Sequence, residues 1–327
     1  MDKAKWADRG QLLRIGSAQG QWARCIGASR LGSVEFHGQE LSIWIQMRGG
    51  AWIEAKEGRF YLRAGDWIAF ARDSAPLVQA DAQGLCIGMG ISDEALKAMT
   101  RFGTFDLHVG LGRIAPDKAR DIARQWYRIA RQHDGIGGGT GQQARVRSLL
   151  LKLEDMQADD RSRIPLCPGA SLARKRQVFE RMQRARLFME GNCDRIIRIA
   201  ELADRTQFSM WYFSKVFHRL YGESPQAACA NLRLKHAANL LASTPMTIGE
   251  VAIASGFDNN CSFARSFRAH FGMTASDYRS STPPSDGQIA QMCAPARANH
   301  IAAGRESLRF ARKTGSDRPG HKVLQRS

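Results

Sequence analysis

The 327-residue sequence is long enough for two domains with separate cores, and its hydrophobic content of 43% is that of a globular chain. A formal net charge of +17 points to a polyanionic partner, either nucleic acid or an anionic membrane surface. Seven cysteines, an odd number with no Cys-x-x-Cys pair, argue against a disulfide framework or a zinc ribbon and suit a reducing compartment. The start, MDKAKWADRG, carries no apolar targeting core, and no stretch approaches the roughly 18 apolar residues of a spanning helix. A cytoplasmic protein with no membrane span is expected. Basic residues outnumber acidic ones by 25 to 19 over residues 1–174, by 15 to 9 over 175–280 and by 8 to 3 beyond, so the excess per residue is greatest toward the C-terminus.

Residues 1–35 are mixed and give no clear pattern. From Leu41 to Ile91 short runs rich in Ile, Trp, Phe and Tyr are punctuated by glycine turns, which predicts several strands in a small antiparallel barrel or sandwich. Trp44, Gln46 and Arg48 alternate with Ile43, Ile45 and Met47, as in a strand with one buried face. The aromatics Trp44, Trp52, Tyr61, Trp67 and Phe70 are candidates to line a small-molecule pocket, with barrel core as the plainer reading. A metal-holding barrel needs two or three histidines and a carboxylate close together. This region offers only His37 and the distant His108, so no metal or other cofactor is expected.

Two helices are predicted over residues 116–133 and 142–158. Pro116 suits a first turn, and Ile122, Trp126 and Ile129 recur at helical spacing. The second helix puts Val146, Leu149, Leu150 and Leu153 on one face. The intervening run Gly135–Gly141 lacks the third glycine of a dinucleotide loop and any following Gly-Lys-Ser/Thr, so a hinge is the better account. Residues 159–174 have the composition of a linker.

A helix from about Arg174 to Glu190 ends at Gly191, followed by two copies of a helix–turn–helix pattern. In the first, Ile199, Leu202 and Ala203 lead through a turn at Gln207 to a helix capped by Ser209, with Phe213 and Phe217 inward and Gly222 as its stop. Gln207 stands where a glycine is favoured, and Arg198 where a Ser or Thr cap is usual. Ser224-Pro225 starts a connecting helix of about 18 residues, roughly 27 Å long. In the second copy, Thr247 caps a helix that ends at Gly256. A further helix then carries Phe263, Phe267 and Phe271 on one face and Asn259, Asn260, Cys261, Arg265 and Arg268 elsewhere. Asn can bond adenine and Arg can bond guanine in the major groove.

Gly256-Phe257, Phe263, Phe267, Phe271-Gly272 and Tyr278-Arg279 form GF-x(5)-F-x(3)-F-x(3)-FG-x(5)-YR, which resembles the signature of the AraC/XylS family of bacterial transcription regulators. The match departs at Ala275, where proline is usual, and at Ala228, where an aromatic is usual. The resemblance implies an N-terminal cupin-like effector and dimerisation domain (1–160), a linker (161–174), a double helix–turn–helix DNA-binding domain (175–280) and a basic tail (281–327), read as disordered from its composition.

The fold class expected is therefore α+β in two domains: a cupin-like antiparallel β-barrel with a helical hairpin, then an all-α domain whose two helix–turn–helix motifs are joined by a long helix. Carried over by position, base reading falls to Trp211, Ser214 and Lys215 of the first motif and to Asn259, Asn260, Cys261 and Arg265 of the second. His218, Arg219 and Arg268 are assigned to phosphates, and Val146, Leu149, Leu150 and Leu153 to a homodimer contact. The function expected is an effector-responsive, sequence-specific regulator, an activator acting on double-stranded DNA with RNA polymerase as its partner. The competing class is an enzyme, a cupin catalyst or a DNA-repair protein carrying the same DNA-binding unit. The first lacks metal ligands, and the second would need a cluster around Cys25 or Cys86.

Overall fold

The computed structural model describes residues 4–16, 21–101, 105–131 and 140–281. Residues 135–139 of the glycine run, and the tail from residue 282 onward, lie outside the described residues, and with them the hinge and disordered-tail readings.

Eleven described strands form two sheets. The first has the order β1 (Lys5–Asp8), β3 (Ala23–Ser29), β10 (Leu85–Ile91), β5 (Leu41–Arg48), β8 (Asp66–Phe70) and β11 (Gly110–Arg113). The second has the order β2 (Leu12–Ile15), β4 (Ser33–Phe36), β9 (Leu77–Ala80), β6 (Gly50–Ala55) and β7 (Gly58–Arg63). Neither order closes on itself, and β1–β3 and β2–β4 pair in parallel. The observed architecture is two facing sheets instead of one closed, wholly antiparallel barrel. β1 to β4 lie in the stretch whose sequence gave no pattern. Three of them are only four residues long, and the longer β3, Ala-Arg-Cys-Ile-Gly-Ala-Ser, is buried throughout, so it shows no alternation.

The six-stranded sheet is covered on both faces, which corrects the one-sided reading of β5. Trp44 packs with Phe36, Ile53 and Phe60 between the sheets. Ile43 and Ile45 point the other way, into a layer made with α1 (Asp93–Thr100), α2 (Pro116–Ala130) and α3 (Thr140–Met156). Gln46, on the Trp44 side, is fully buried, and its Nε2 donates to the Arg48 carbonyl at 2.8 Å.

α4 (Ala158–Arg161) and a single 3-10 turn, Ile164–Leu166, follow. The linker-like composition hides two apolar anchors: Ile164 and Cys167 are buried in the core of the helical region. That region comprises α5 (Leu172–Gly191), α6 (Ile199–Thr206), α7 (Met210–Tyr221), α8 (Pro225–Ser243), α9 (Ile248–Ala254), α10 (Asn260–Phe271) and α11 (Ala275–Ser281).

α5 is shared between the two regions. Val178, Met182, Ala185 and Met189 enter the helical core, while Leu187 is buried among the sheet residues. At its C-terminal end Gly191 meets the β6–β7 turn so closely that a Cβ on Gly58 would stand 2.1 Å from the Gly191 carbonyl oxygen. Only glycine fits there. Asn192 Nδ2 donates to the Glu57 carbonyl at 2.7 Å across the same joint, and Arg63 Nη2 donates to Asn239 Oδ1 of α8 at 3.1 Å.

Candidate nucleic-acid interface

The helical region contains two similar helix pairs on either side of α8. In the first, α6 turns into α7 at Gln207, whose φ of 54° is left-handed, a conformation that L side chains adopt at a cost. Arg198 provides no side-chain cap for α6, as its identity implies. Ser209 does cap α7, accepting from Tyr212 N at 3.2 Å, and Gly222 (φ 75°) ends it. Inward, Phe213, Val216, Phe217 and Leu220 are buried.

The second pair is better terminated at its start and at its turn. Thr247 accepts from Glu250 N at 3.2 Å while Glu250 accepts from Thr247 N at 2.7 Å, a reciprocal capping box. Gly256 makes the turn at φ 71°, and a Cβ there would lie 2.9 Å from Arg195 Cα. Phe257, Phe263 and Phe267 are buried, with successive rings 5.2 and 5.4 Å apart, and Phe271 extends the stack. Ala275 is buried and α11 forms, so the missing proline does not prevent the last helix.

Two positioning residues were not picked out from sequence. Arg233 of α8 donates to the Gly256 carbonyl at 2.8 Å and lies over the Phe257 ring at 4.8 Å, which pins the second turn to the strut. Arg279 donates to the carbonyls of Leu241 and Met246, closing α11 against the end of α8. The Tyr-Arg at the end of the sequence signature was the only available signal for the second of these.

The polar faces follow the apolar ones. On α7, Trp211, Lys215, His218 and Arg219 are exposed and Ser214 is half-buried. Trp211 is 69% exposed, and Lys215 Nζ sits 4.7 Å over its ring. An indole that open, with a cation on one face, is available to a base edge or a thymine methyl. On α10, Cys261, Arg265 and Arg268 are exposed along one side, opposite Phe263 and Phe267.

Two expected base readers have other contacts. Asn259 is the N-cap of α10, its Oδ1 accepting from Ser262 N at 2.7 Å. The bidentate adenine contact expected of it would cost that cap. Asn260 folds back over α9, with its Nδ2 within 3.2 Å of the place a Gly249 Cβ would occupy. The four helix-hairpin leucine and valine positions assigned to dimerisation are core residues of their own chain: Val146, Leu149, Leu150 and Leu153 are each at most 2% exposed beneath the six-stranded sheet. The sheet's outer face needs an apolar cover, and this stripe supplies it.

The five aromatics assigned to one effector pocket fall in three separate layers. Trp44 and Phe70 lie between the sheets, Trp67 lies on the helix side of the six-stranded sheet, and Trp52 and Tyr61 meet at a tilt, centroids 5.0 Å apart, on the outside of the other sheet. They cannot line a common cavity.

A family model described as a helix-turn-helix domain matches residues 202–281, from α6 to the end of α11. The TetD protein of transposon Tn10 from Escherichia coli is 33% identical over 93 residues, covering 28% of this chain and 67% of that protein. The transcriptional regulator ExsA of Pseudomonas aeruginosa is 30% identical over 105 residues, covering 32% of this chain and 38% of ExsA. A solved structure of a probable AraC family transcriptional regulator from Rhodopseudomonas palustris is 35% identical, covering 32% of this chain and 98% of that one, at a TM-score of 0.30. The chain belongs to the AraC/XylS family. Its helical region is the DNA-binding part of an AraC/XylS transcription regulator. The chain spans well under half the length of ExsA and about two thirds of TetD.

No helix among the described residues is long and apolar enough to cross a membrane.

Proposed function

We propose that α6–α7 and α9–α10 are two helix–turn–helix motifs that insert α7 and α10 into successive major grooves on one face of double-stranded DNA. The observation that carries this reading is the matched pair of exposed polar faces held on either side of one strut. α8 has 19 residues, about 28 Å at the rise of an α-helix, and successive grooves on one face recur about every 34 Å. In this reading Trp211, Ser214, Lys215, Cys261 and Arg265 meet bases, and His218, Arg219 and Arg268 meet phosphates, which fix position without specifying sequence. Asn260 reads a base only if it swings off α9, and Asn259 serves first as a cap.

The β-rich region acts, in the same reading, as a cupin-like sensing domain whose bound effector alters the DNA-binding helices through α5. Homodimer formation, activation through RNA polymerase and action in the cytoplasm complete the proposal. ExsA is named a transcriptional regulator and VirF of Yersinia enterocolitica a virulence regulon transcriptional activator, which favours activation over repression. An enzyme reading has no comparable support among the relatives.

Arg265→Ala tests the base-reading assignment. Quantitative band-shift titrations on a bound site and its single-base variants should show about 1–3 kcal/mol of discrimination lost at one base pair. An equal loss on every variant would make Arg265 a phosphate contact.

A further inference from the structure

An open cleft of about 900 Å³ lies between α2 and the outer face of the six-stranded sheet. Met47, Leu85 and Ile87 form its sheet side, with Trp6 of β1 at one flank and Trp126 and Tyr127 of α2 at the other. The two indoles meet edge to face with centroids 6.0 Å apart. Their N–H groups are already engaged, Trp6 with Ser29 Oγ at 3.0 Å and Trp126 with the Gly88 carbonyl at 2.8 Å. The rings are therefore fixed, and what they offer the cleft is apolar and aromatic surface. Trp6 and Tyr127 remain 37% and 54% exposed. This is a costly way to leave two large aromatics unless something covers them.

The remaining wall is cationic. Arg120 and Arg124 of α2 and Arg131 just past its end line the cleft, and no acidic residue is among the described lining residues. Arg120 Nε donates to the Pro116 carbonyl at 3.2 Å, and Arg124 Nη1 donates at 3.1 Å to the Asp121 carboxylate, an ion pair that Asp121 shares with Lys152. Each of these bonds uses one nitrogen of a five-donor group. Arg131 lies over the Tyr127 ring at 5.3 Å, which holds its charge beside the aromatic wall. An apolar concavity of this size with a few convergent polar groups is the usual form of a small-molecule site. The charge on its rim selects the sign of the ligand.

We propose that this cleft binds a hydrophobic carboxylate with a flat aromatic body. The ring system lies against Trp6, Trp126 and Ile87, and the carboxylate takes charge-assisted hydrogen bonds from Arg124 and Arg131. The site is outside the space between the sheets, on the helix that also packs against α3. As the class of effector, it rests on the regulatory reading above; as a binding site, it stands apart from it.

Calorimetric titration of the full chain with three probes of one shape provides the test: 2-naphthoate, its neutral analogue 2-naphthamide and the cation 2-naphthylmethylammonium. Saturable binding of 2-naphthoate at one site is expected, roughly tenfold or more tighter than the amide given the strength of hydrogen bonds to charged groups, with no binding of the cation. The double variant Arg124→Gln/Arg131→Gln, both largely surface changes, should reduce naphthoate to the affinity of the amide. Ala123→Trp, which fills the cleft from α2, should abolish binding of both. Equal affinity for the three probes would overturn the proposal, as would naphthoate binding that survives either variant. If Ala123→Trp instead changes only the sedimentation mass, the cleft is covered by a second copy of the chain and the proposal fails. DNA affinity measured without any probe reports separately on the regulatory reading.

Discussion

The two helix pairs have the same plan and different surroundings. The second is closed by its own chemistry: a capping box at Thr247 and Glu250, a glycine at the turn, an unbroken phenylalanine stack and an Arg233 clamp. The first has an uncapped α6, a strained Gln207 and a base of half-buried ionisable groups that join it to the rest of the chain. Arg186 lies 3.1 Å from Glu190 and stacks on Tyr221 at 4.9 Å, and Tyr221 donates to Gln183 at 3.0 Å. Nearby, His108, which follows α1 and precedes β11, packs on Phe179 of α5 at 5.1 Å and faces Asp160. Two similar helix pairs have thus been stabilised differently, one by local termination and the other by contact with the β-rich region. Under the proposed function, the second pair would be the constant hold on DNA and the first the one that is adjusted.

Exchanging the turn residues tests that contrast most severely. Gly256→Ala must place a Cβ at a positive φ and within 2.9 Å of backbone, and we expect a loss of about 1–3 kcal/mol, read by urea unfolding and by hydrogen exchange confined to α9–α10. A loss spread evenly over both pairs would mean they are not separate units.

Next in size is the response to pH, which should differ in sign between the pairs. Burial pushes the Glu190 carboxyl up to about 7, against the pull of Arg186. Around the first pair the unfolded chain therefore releases this proton at lower pH than the folded one, and stability falls as pH rises from about 4.5 to about 7. Burial lowers His236 of α8, which contacts the Ala254 carbonyl in the second pair, below its usual 6.5. That contribution is complete above about 6.5 and is lost on acidification. Hydrogen exchange at about pH 5 and about pH 7 should show opposite trends in α6–α7 and α9–α10, and Glu190→Gln should flatten only the first. Parallel trends would contradict the separation.

Smallest is the reverse turn exchange. Gln207→Gly removes left-handed strain of about 1–2 kcal/mol but adds about 0.5–1 kcal/mol of chain entropy. A net gain of about 0.5–1 kcal/mol is expected in thermal unfolding, and no gain would remove the strain from the account.

The helical region was legible because its spacing is local. Phe263, Phe267 and Phe271 announce one face at every fourth residue, and Ser209, Ser224 and Thr247 announce the helix starts. The strands of β1 to β4 were not legible, because pairing partners such as Trp6 and Gly27 are far apart in sequence and the strands are short. For the same reason five aromatics read as one pocket fell in three layers: alternation says that residues face opposite sides, but not what covers each side. Composition likewise made residues 159–174 a linker although Ile164 and Cys167 are packed. On α10, the exposed positions followed from the phenylalanine spacing. The capping bond of Asn259 did not, because one residue's shift in a helix start decides whether an Asn caps or reads.

The central claim is that the two helix pairs read two neighbouring grooves. Methylation interference on a site selected from random DNA measures this directly. Two clusters of major-groove contacts are predicted, about 10 base pairs apart on one face of the duplex, with Arg265→Ala relaxing only one of them. A single cluster, or two clusters on opposite faces, would contradict it.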